Sequence, residues 1–299
     1  MTPSGKNILI TGATGFVGSH IANTLKEEGF RVFATTRQTV TDSGDVHWLN
    51  VKHDTKNQLA EFLKNTPTAA IVHAAGLING SNSAITESNE GFTADLIAAI
   101  EDAQVNPDFY FLSSVSAINE TSAYGKSKAA CEKLIHEKVK GRYVILRSSL
   151  IFGPGDSKNV AMITAIIRRT RILPIPGGQS VKLQPLYVAD LSQAILSLLN
   201  GKGKNGKVYL ISGPKQEKLF YMVQEIQKQL GKRCLNIPFP LFLLRWPISM
   251  LNAMLPFLKL PVQQVRDLHD HPMYSISDAS RDLDFQPRTF REGLQDYLK

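Results

Sequence analysis

The feature that most constrains this chain is the stretch Asn7–His20, where a short apolar run enters a glycine-rich turn and an amphipathic helix follows. Gly12, Gly15 and Gly18 are spaced G-x-x-G-x-x-G. In such a strand–turn–helix, the first glycine permits the tight turn, the second lets backbone approach a pyrophosphate, and the third lets the helix pack on the strand. The unpaired N–H groups at the helix start favour phosphates. The stretch predicts a dinucleotide-binding turn, and an ordinary turn with loop glycines is the alternative.

Apolar runs and amphipathic segments alternate along the first half of the chain. The predicted strands are, in order, Asn7–Thr11, Arg31–Thr35, His47–Leu49, Ala69–His73, Phe109–Leu112 and Tyr143–Leu146. Strands that alternate with helices predict an α/β fold with a doubly wound, parallel sheet of the Rossmann type. Beyond Arg147 the pattern changes, which predicts a smaller, mostly helical C-terminal lobe.

The same pattern predicts how the chain divides into domains. We expect a dinucleotide-binding domain over residues 1–150, to which residues 186–212 return. Residues 151–185 and 213–299 are expected to form a substrate-binding lobe. The closing helix of the chain is predicted within that lobe, because its apolar residues recur at helical spacing.

Composition narrows the class of protein. Hydrophobic residues make up 43% of the 299 residues, which excludes a disordered chain. The net charge is +8, but the basic residues are dispersed apart from Arg168–Arg171 and Lys202–Lys204, so no nucleic-acid partner is predicted. Cys131 and Cys234 are far apart and predict neither a metal site nor a disulfide framework. No signal-peptide h-region stands at the start, which predicts a cytoplasmic protein.

One segment, residues 237–261, is strongly apolar but is interrupted by five prolines and carries Arg245 and Lys259. A spanning helix needs about 20 uninterrupted apolar residues, so the segment is a poor transmembrane candidate. It is expected to form short buried helices. The alternative is an apolar face that contacts a membrane surface, a protein partner or an apolar substrate.

Tyr124 and Lys128 form a second candidate site. They stand four residues apart on a predicted helix and therefore share one face. A tyrosine with a pKa of about 10 is a poor base at neutral pH, and a nearby ammonium is expected to lower that pKa. Ser113 and Ser114 follow a predicted strand, where an open α/β sheet binds its ligands, and they supply a hydroxyl donor.

The motifs together resemble the extended short-chain dehydrogenases/reductases, the NAD-dependent epimerase/dehydratase family. The resemblance covers nearly the whole chain. It rests on Thr11–Gly18, His73–Gly76, Ser113–Ser114, Tyr124–Lys128, Leu146–Arg147, Phe152–Asp156 and Pro185–Asp190.

The resemblance implies roles for individual residues. Tyr124 is expected to be the acid/base, Lys128 its pKa depressor and a ribose contact, and Ser114 the donor to the carbonyl oxygen, with Ser113 and Ser116 as alternatives. The implied cofactor-binding residues are Gly12, Thr14, Gly15, Phe16, Val17, Gly18, Arg37, Asn50, Ala74, Ala75 and Gly76, together with Tyr124 and Lys128. The family resemblance also implies a homodimer.

The chain departs from the family's sugar-nucleotide enzymes between serine and tyrosine. Only Val115–Ala123 separates the two, where those enzymes commonly have a longer loop. This short spacing and the stretch Gln184–Asp190 look more like the atypical branch that includes a respiratory complex I accessory subunit. Some members of that branch bind a nucleotide without turning anything over, but this chain retains Tyr124 and Lys128.

Cofactor choice can be argued at the end of the second strand. A site specific for NAD has Asp or Glu there, which accepts a hydrogen bond from the ribose 2′-OH. This chain has Thr35 and Thr36, followed by Arg37. No carboxylate repels a 2′-phosphate, and Arg37 can pair with it. The sequence therefore favours NADP, with NAD as the alternative.

The residues and the resemblance lead to one main functional hypothesis. We expect an NAD(P)-dependent oxidoreductase, epimerase or dehydratase that transfers a hydride on a hydroxyl or keto substrate. A nucleotide-sugar-like compound is the first expected substrate, and a lipidic alcohol or ketone is the second. The competing hypothesis is a non-catalytic cofactor-binding scaffold.

Overall fold

The computed structural model describes residues 5–37, 46–51, 54–158, 160–239 and 272–298. The central sheet has seven parallel strands. They are β1 Asn7–Thr11, β2 Arg31–Thr36, β3 His47–Asn50, β4 Ala70–His73, β5 Asp108–Ser114, β6 Tyr143–Ser148 and β11 Lys207–Ile211. Their spatial order is β11-β6-β5-β4-β1-β2-β3. The predicted doubly wound Rossmann-type sheet is confirmed.

Three two-stranded sheets pair β7 with β10, β9 with β12 and β8 with β13. Their strands are β7 Ile151–Phe152, β8 Ile172–Pro176, β9 Lys182–Leu183, β10 Leu186–Tyr187, β12 Glu217–Lys218 and β13 Leu235–Phe239. The helices are α1 Phe16–Glu27, α2 Thr55–Asn65, α3 Asn82–Thr86, α4 Phe92–Ala103, α5 Ser116–Asn119, α6 Ala123–Lys138, α7 Val160–Arg169, α8 Val188–Leu199, α9 Leu219–Gln229, α10 Ser277–Leu283 and α11 Phe290–Leu298.

The central strands are apolar on both faces because helices cover both sides of the sheet. Ile8, Leu9 and Ile10 of β1 are fully buried. Helices α2, α4 and α6 pack on one another, and α1 packs on α8. This arrangement brings the carboxyl ends of β1, β4 and β5 to one edge of the sheet, where the predicted motifs follow them.

The chain divides into two compact units. The first contains residues 1–149, 188–211 and 275–286, and the second contains residues 150–187, 212–274 and 287–299. The helix α10 therefore packs with the central sheet, on β11 and α8, although the sequence places it with the substrate lobe. The reason is tertiary: Tyr209 of β11 donates to Asp282, and the pair joins residues 73 positions apart.

The helix predicted over Ile85–Glu101 is interrupted in the structure. It consists of α3, a π-helical turn over Glu87–Gly91, and α4. A π-helical turn is rare and often marks a functional site. It places Asn89 in the interior, where 2% of its surface is exposed.

No helix within the described ranges is long and apolar enough to cross a membrane. Of the apolar segment 237–261, only residues 237–239 are described, as the end of β13. The predictions for residues 240–261 lie outside the described residues.

Candidate cofactor and active site

The glycine turn after β1 has the geometry that the spacing predicts. Gly12 has φ = +75°, and a Cβ there would lie 2.7 Å from the backbone of Ala75. The N–H of Gly15 donates to the carbonyl of Gly12 at 3.0 Å. A Cβ on Gly18 would collide with that same carbonyl. Sterics therefore exclude a side chain at Gly12 and at Gly18, and α1 starts directly after the turn.

The turn opens onto a cavity of about 460 Å³. Gly15 is the N-cap residue of α1 and has no side chain with which to occupy the N–H groups of the first turn. Those groups and the positive end of the helix dipole suit a phosphate. The lining residues are Gly12, Thr14, Gly15, Thr35, Thr36, Arg37, Val51, Ala74, Ala75, Gly76, Leu77, Ser88 and Phe92. This donor set and this volume fit a dinucleotide.

Most of the predicted cofactor residues line the cavity, but six do not. Tyr124 and Lys128 lie on α6 and are not among the lining residues. Phe16, Val17 and Gly18 form the first turn of α1 instead. Asn50 lies exposed at the end of β3, paired in register with Thr36, and it is the following Val51 that lines the cavity. The predicted contact of Asn50 with the cofactor stays a prediction.

Beneath the turn, a buried hydrogen-bond chain joins three elements. The Nδ1 atom of His73 lies 2.6 Å from the hydroxyl of Thr11, and its Nε2 atom lies 2.9 Å from the hydroxyl of Thr93. Thr93 donates to the carbonyl of Asn89 at 2.6 Å, so it accepts from Nε2–H, and Nδ1 accepts from Thr11. Thr11 in turn accepts from the N–H of Ala75 at 3.3 Å. Burial, and next the charge of Lys128, lower the pKa of His73 to about 3. The imidazole is therefore neutral, and it ties the turn to α4.

Asn89 connects the loop after β4 to α6. Its Oδ1 atom accepts from the N–H of Leu77 at 2.6 Å, and its Nδ2 group donates to the carbonyl of Leu77 and to the hydroxyl of Ser127. Ser127 donates to the carbonyl of Tyr124 at 2.8 Å. The π-helical turn thus holds both the loop after β4 and the first turn of α6, on which the candidate catalytic residues lie.

Tyr124 lies in the first turn of α6, and Ser114 is the last residue of β5. Burial raises the pKa of Tyr124 to about 12, against the effect of the Ser114 hydroxyl, which acts to lower it. The N–H of Ser116 donates to Ser114 at 3.2 Å, which orients the serine hydroxyl. Gly125 lets α5 and α6 approach each other, because a Cβ there would collide with the carbonyl of Ser116. Of the three candidate serines, Ser114 is the one that affects the pKa of Tyr124.

Ser113 points to the other side of β5. Its hydroxyl donates to Glu132, which also forms a salt bridge of 2.5 Å with Arg147. The pKa of Arg147 is raised mainly by its hydrogen bonds to Glu132. Adjacent strand residues face opposite sides of a sheet, which is why neighbouring serines have different partners. The hydroxyl of Ser113 is therefore already engaged by the ion pair of Glu132 and Arg147.

Lys128 is buried, with 3% of its surface exposed. Its Nζ atom donates to the carbonyl of Leu112 at 2.9 Å and lies 4.5 Å from the ring centroid of Phe111 and 6.0 Å from that of Tyr124. Burial lowers the pKa of Lys128 to about 8. A Cβ on Gly76 would lie 3.2 Å from this ammonium group. Lys128 therefore lies between Tyr124 and the cavity wall.

The sequence predicts that Lys128 lowers the pKa of Tyr124, but in the structure that pKa is raised. Lys128 is buried and Tyr124 is half-buried, and the loss of water around each disfavours its charged form. The pKa of Tyr124 is therefore raised and that of Lys128 lowered. Ser114 is the group that acts to lower the pKa of Tyr124.

Arg37 stands at the mouth of the cavity. Its guanidinium lies 5.5 Å above the ring of Phe92, and its side chain is exposed. Thr35 and Thr36, which precede it at the end of β2, are buried and line the cavity. The described residues that line the cavity include no carboxylate, and Arg37 is their only cation.

Thr93 and Ser127 were missed as positioning residues. Thr93 stands four residues after Asn89, one helical turn further along the chain, which is the only sequence signal that could have indicated it. Ser127 lies within the Tyr124–Lys128 motif, but its contact with Asn89 spans 38 residues. Such pairings come from the fold and not from local spacing.

Comparison with known proteins identifies the family. The NAD dependent epimerase/dehydratase family model matches residues 8–212. The chain is 28% identical over 272 residues to NADH dehydrogenase [ubiquinone] 1 alpha subcomplex subunit 9 of Mus musculus, covering 85% of this chain and 69% of that protein. It is 25% identical over 268 residues to UDP-glucose 4-epimerase of Vibrio cholerae, covering 79% and 80%.

Solved structures agree on the fold. The UDP-glucose 4-epimerase of Thermotoga maritima, solved with UDP-glucose, superposes with a TM-score of 0.78 at 18% identity, covering 98% of this chain and 97% of that one. The chain belongs to the NAD-dependent epimerase/dehydratase family, as its motifs predict. Family membership also supports the prediction of an NAD(P)-dependent oxidoreductase or epimerase.

Proposed function

We propose that this protein is an NAD(P)-dependent epimerase-type oxidoreductase whose reaction centre consists of Ser114, Tyr124 and Lys128. The observation that carries the proposal is the position of Lys128, whose Nζ atom lies 6.0 Å from the ring centroid of Tyr124 on the same unit as the glycine-turn cavity. The buried Lys128 links the two, because its ammonium group lies against Gly76 of the cavity wall. A scaffold that only binds a dinucleotide has no need for this centre.

The residues suggest a defined division of the chemistry. A nicotinamide dinucleotide held by the glycine turn would supply the hydride acceptor for a carbinol carbon and the hydride donor for a keto carbon. Tyr124 accepts the hydroxyl proton in the oxidative direction and donates it in the reductive direction. Ser114 donates a hydrogen bond to the substrate oxygen, and Lys128 supplies positive charge next to the phenol.

A nucleotide sugar is the substrate class that we propose first. The support is the 25% identity to a protein named UDP-glucose 4-epimerase, over 79% of this chain. A lipidic alcohol or ketone is the second candidate, since only nine residues, Val115–Ala123, separate the serine from the tyrosine. A panel of UDP- and dTDP-sugars, incubated with the protein and analysed for epimerised or oxidised products, distinguishes the two classes.

The decisive experiment is the substitution Tyr124→Phe. Loss of a general acid/base is worth about a hundredfold to ten-thousandfold, so kcat is expected to fall about a thousandfold. The dinucleotide affinity and the melting temperature are expected to remain unchanged. Tyr143→Phe is the matched control, because its hydroxyl pairs with His136 at 2.6 Å and not with Ser114. Equal activity of Tyr124→Phe and the parent protein would contradict a catalytic role.

The alternative of a non-catalytic scaffold has one supporting observation, the similarity to a protein named as a subunit of NADH dehydrogenase. The same experiment separates the alternatives, because a scaffold retains its complete function in Tyr124→Phe. We also propose a cytoplasmic homodimer. Light scattering of the purified protein tests the dimer, and a monomer at all concentrations would contradict it.

A further inference from the structure

A cluster of cations lies on the second unit, where α7 ends and where the chain turns into β13. A cavity of about 270 Å³ is lined there by Ile167, Arg168, Arg169, Thr170, Arg171, Lys232 and Arg233. These described lining residues include five cations and no carboxylate. All five cations are exposed. We refer to Arg168, Arg169, Arg171, Lys232 and Arg233 as the basic cluster.

Helix geometry accounts for part of this cluster. Arg168 and Arg169 complement the negative end of the α7 dipole, and Lys232 donates to the carbonyl of Arg168 at 2.7 Å. Arg171 and Arg233 make no such contribution to α7, because they lie beyond its end on the two segments that lead into β8 and β13. Their addition concentrates positive charge beyond what the helix end requires.

Beside the basic cluster, the sheet of β8 and β13 exposes an apolar face. Leu235 pairs in register with Ile172, and Ile237 pairs with Pro174. The exposed fractions are 50% for Ile172, 64% for Leu235 and 44% for Ile237. Alternate residues on β8, Leu173 and Ile175, point inward and are buried. We refer to Ile172, Pro174, Leu235 and Ile237 as the apolar face.

This concentration of exposed apolar residues is unusual for the molecule. Among the described residues, six large apolar side chains are exposed, and three of them lie on the apolar face. Single exposed apolar residues are normal, but a contiguous group bordered by charge marks an interaction surface.

The basic cluster and the apolar face are continuous. Arg171 directly precedes Ile172, and the N–H of Leu235 donates to the carbonyl of Arg171 at 2.7 Å. The chain then continues from β13 into residues 240–261, a sequence rich in apolar residues. Its only charged residues are the cations Arg245 and Lys259. The same chemistry, apolar plus cationic without carboxylates, thus extends along the sequence.

We propose that the basic cluster and the apolar face together bind the surface of an anionic membrane. The cations would contact lipid phosphates, and the apolar residues would enter the interfacial region. Anionic lipids attract clusters of four to eight Lys and Arg residues, and an adjacent apolar face adds burial. A nucleic acid would use the cations but leave the apolar face in water, and an apolar protein partner would leave the cations unpaired. The proposal does not depend on the proposed function.

Co-sedimentation of the full-length protein with vesicles tests the proposal. One set contains phosphatidylcholine alone, and the other contains phosphatidylcholine with phosphatidylglycerol. Binding is expected only to the anionic vesicles and is expected to weaken as salt rises. In Arg169→Gln/Arg171→Gln/Arg233→Gln, affinity is expected to fall roughly a hundredfold, because each cation near an anionic surface contributes about fivefold.

The matched control removes three exposed lysines of the first unit, Lys64→Gln/Lys138→Gln/Lys140→Gln, and is expected to bind within threefold of the parent protein. Leu235→Thr/Ile237→Thr tests the apolar face and is expected to weaken binding about tenfold at every salt concentration. Circular dichroism and NADPH titration confirm that each variant is folded.

Three outcomes would overturn the proposal. The first is equal binding to neutral and anionic vesicles, or no binding to either. The second is an equal loss of binding in the lysine control, which would show that net charge and not the basic cluster is responsible. The third is that a duplex DNA oligonucleotide competes with the vesicles while the threonine variant binds like the parent protein, which would assign the cations to a nucleic acid.

Discussion

The candidate active site and the basic cluster use charged and polar groups in opposite ways. In the first unit, His73 and Lys128 are almost fully buried. His73 is hydrogen-bonded to the hydroxyl of Thr93, and Lys128 donates to the carbonyl of Leu112. In the second unit, the five cations of the basic cluster are exposed and line an open cavity. Arg37, although it lines the cofactor cavity, is exposed like the basic cluster.

The difference indicates which substitutions change both stability and function and which change function alone. A buried group is held by packing and hydrogen bonds, so its substitution changes both stability and function. An exposed cation acts through its charge, so its substitution changes affinity and leaves the fold intact. The comparison predicts large, coupled effects in the buried site and smaller, function-specific effects at exposed cations.

The largest effect is expected from Gly12→Ala. A side chain at φ = +75° costs about 1–2 kcal/mol, and a Cβ only 2.7 Å from the backbone of Ala75 adds about 1–3 kcal/mol. Thermal unfolding should show a loss of about 3 kcal/mol, and titration should show NADPH binding weakened at least a hundredfold. Gly201→Ala is the control, because Gly201 has φ = +85° and a Cβ there would meet no atom within 4 Å, so only the strain of about 1–2 kcal/mol remains. Similar losses in both variants would contradict a role for close approach.

The next effect concerns the neutral imidazole of His73. Its pKa is lowered from 6.5 to about 3, so below pH 6.5 the unfolded chain binds a proton that the folded chain does not. The free energy of unfolding should therefore decrease by about 1.4 kcal/mol per pH unit as the pH falls from 6 to 4, in addition to the effect of the carboxylates. Urea unfolding of His73→Gln over this range should show a correspondingly shallower slope. Identical slopes would mean that His73 is not buried in the neutral form.

The smallest effect is expected at the exposed Arg37. Arg37→Gln should weaken NADPH binding about tenfold and change NADH binding less than twofold, since a charge-assisted hydrogen bond to the 2′-phosphate is lost. Arg31→Gln is the control, because Arg31 is exposed at the opposite end of β2 and, like Arg37, lies over an aromatic ring, that of Phe33 at 5.1 Å. Isothermal titration measures both cofactors. Equal weakening of NADPH binding and NADH binding would argue against a 2′-phosphate contact. A lower melting temperature of Arg37→Gln would contradict the distinction between buried groups and exposed cations, because substitution of an exposed cation is expected to leave stability unchanged.

Much of the site was predictable from local patterns. The three glycines, the strand–helix alternation and the pair Tyr124–Lys128 are properties of spacing, and spacing decides which face of a strand or helix a residue occupies. The glycine turn and the Rossmann-type sheet follow from these local rules. The same rules missed the π-helical turn, because they do not define where a helix bulges.

The sequence by itself determined the fold class, the glycine turn and the helical pair of Tyr124 and Lys128, because periodicity and backbone sterics act over a few residues. Only the tertiary structure decided that Ser113 donates to Glu132 and that Ser114 is the serine that affects the pKa of Tyr124, since both depend on which side of β5 each serine faces. It also joined Lys232 to the end of α7, 64 residues earlier in the chain. Such contacts join residues that no local pattern relates, and they exist only once the chain has folded.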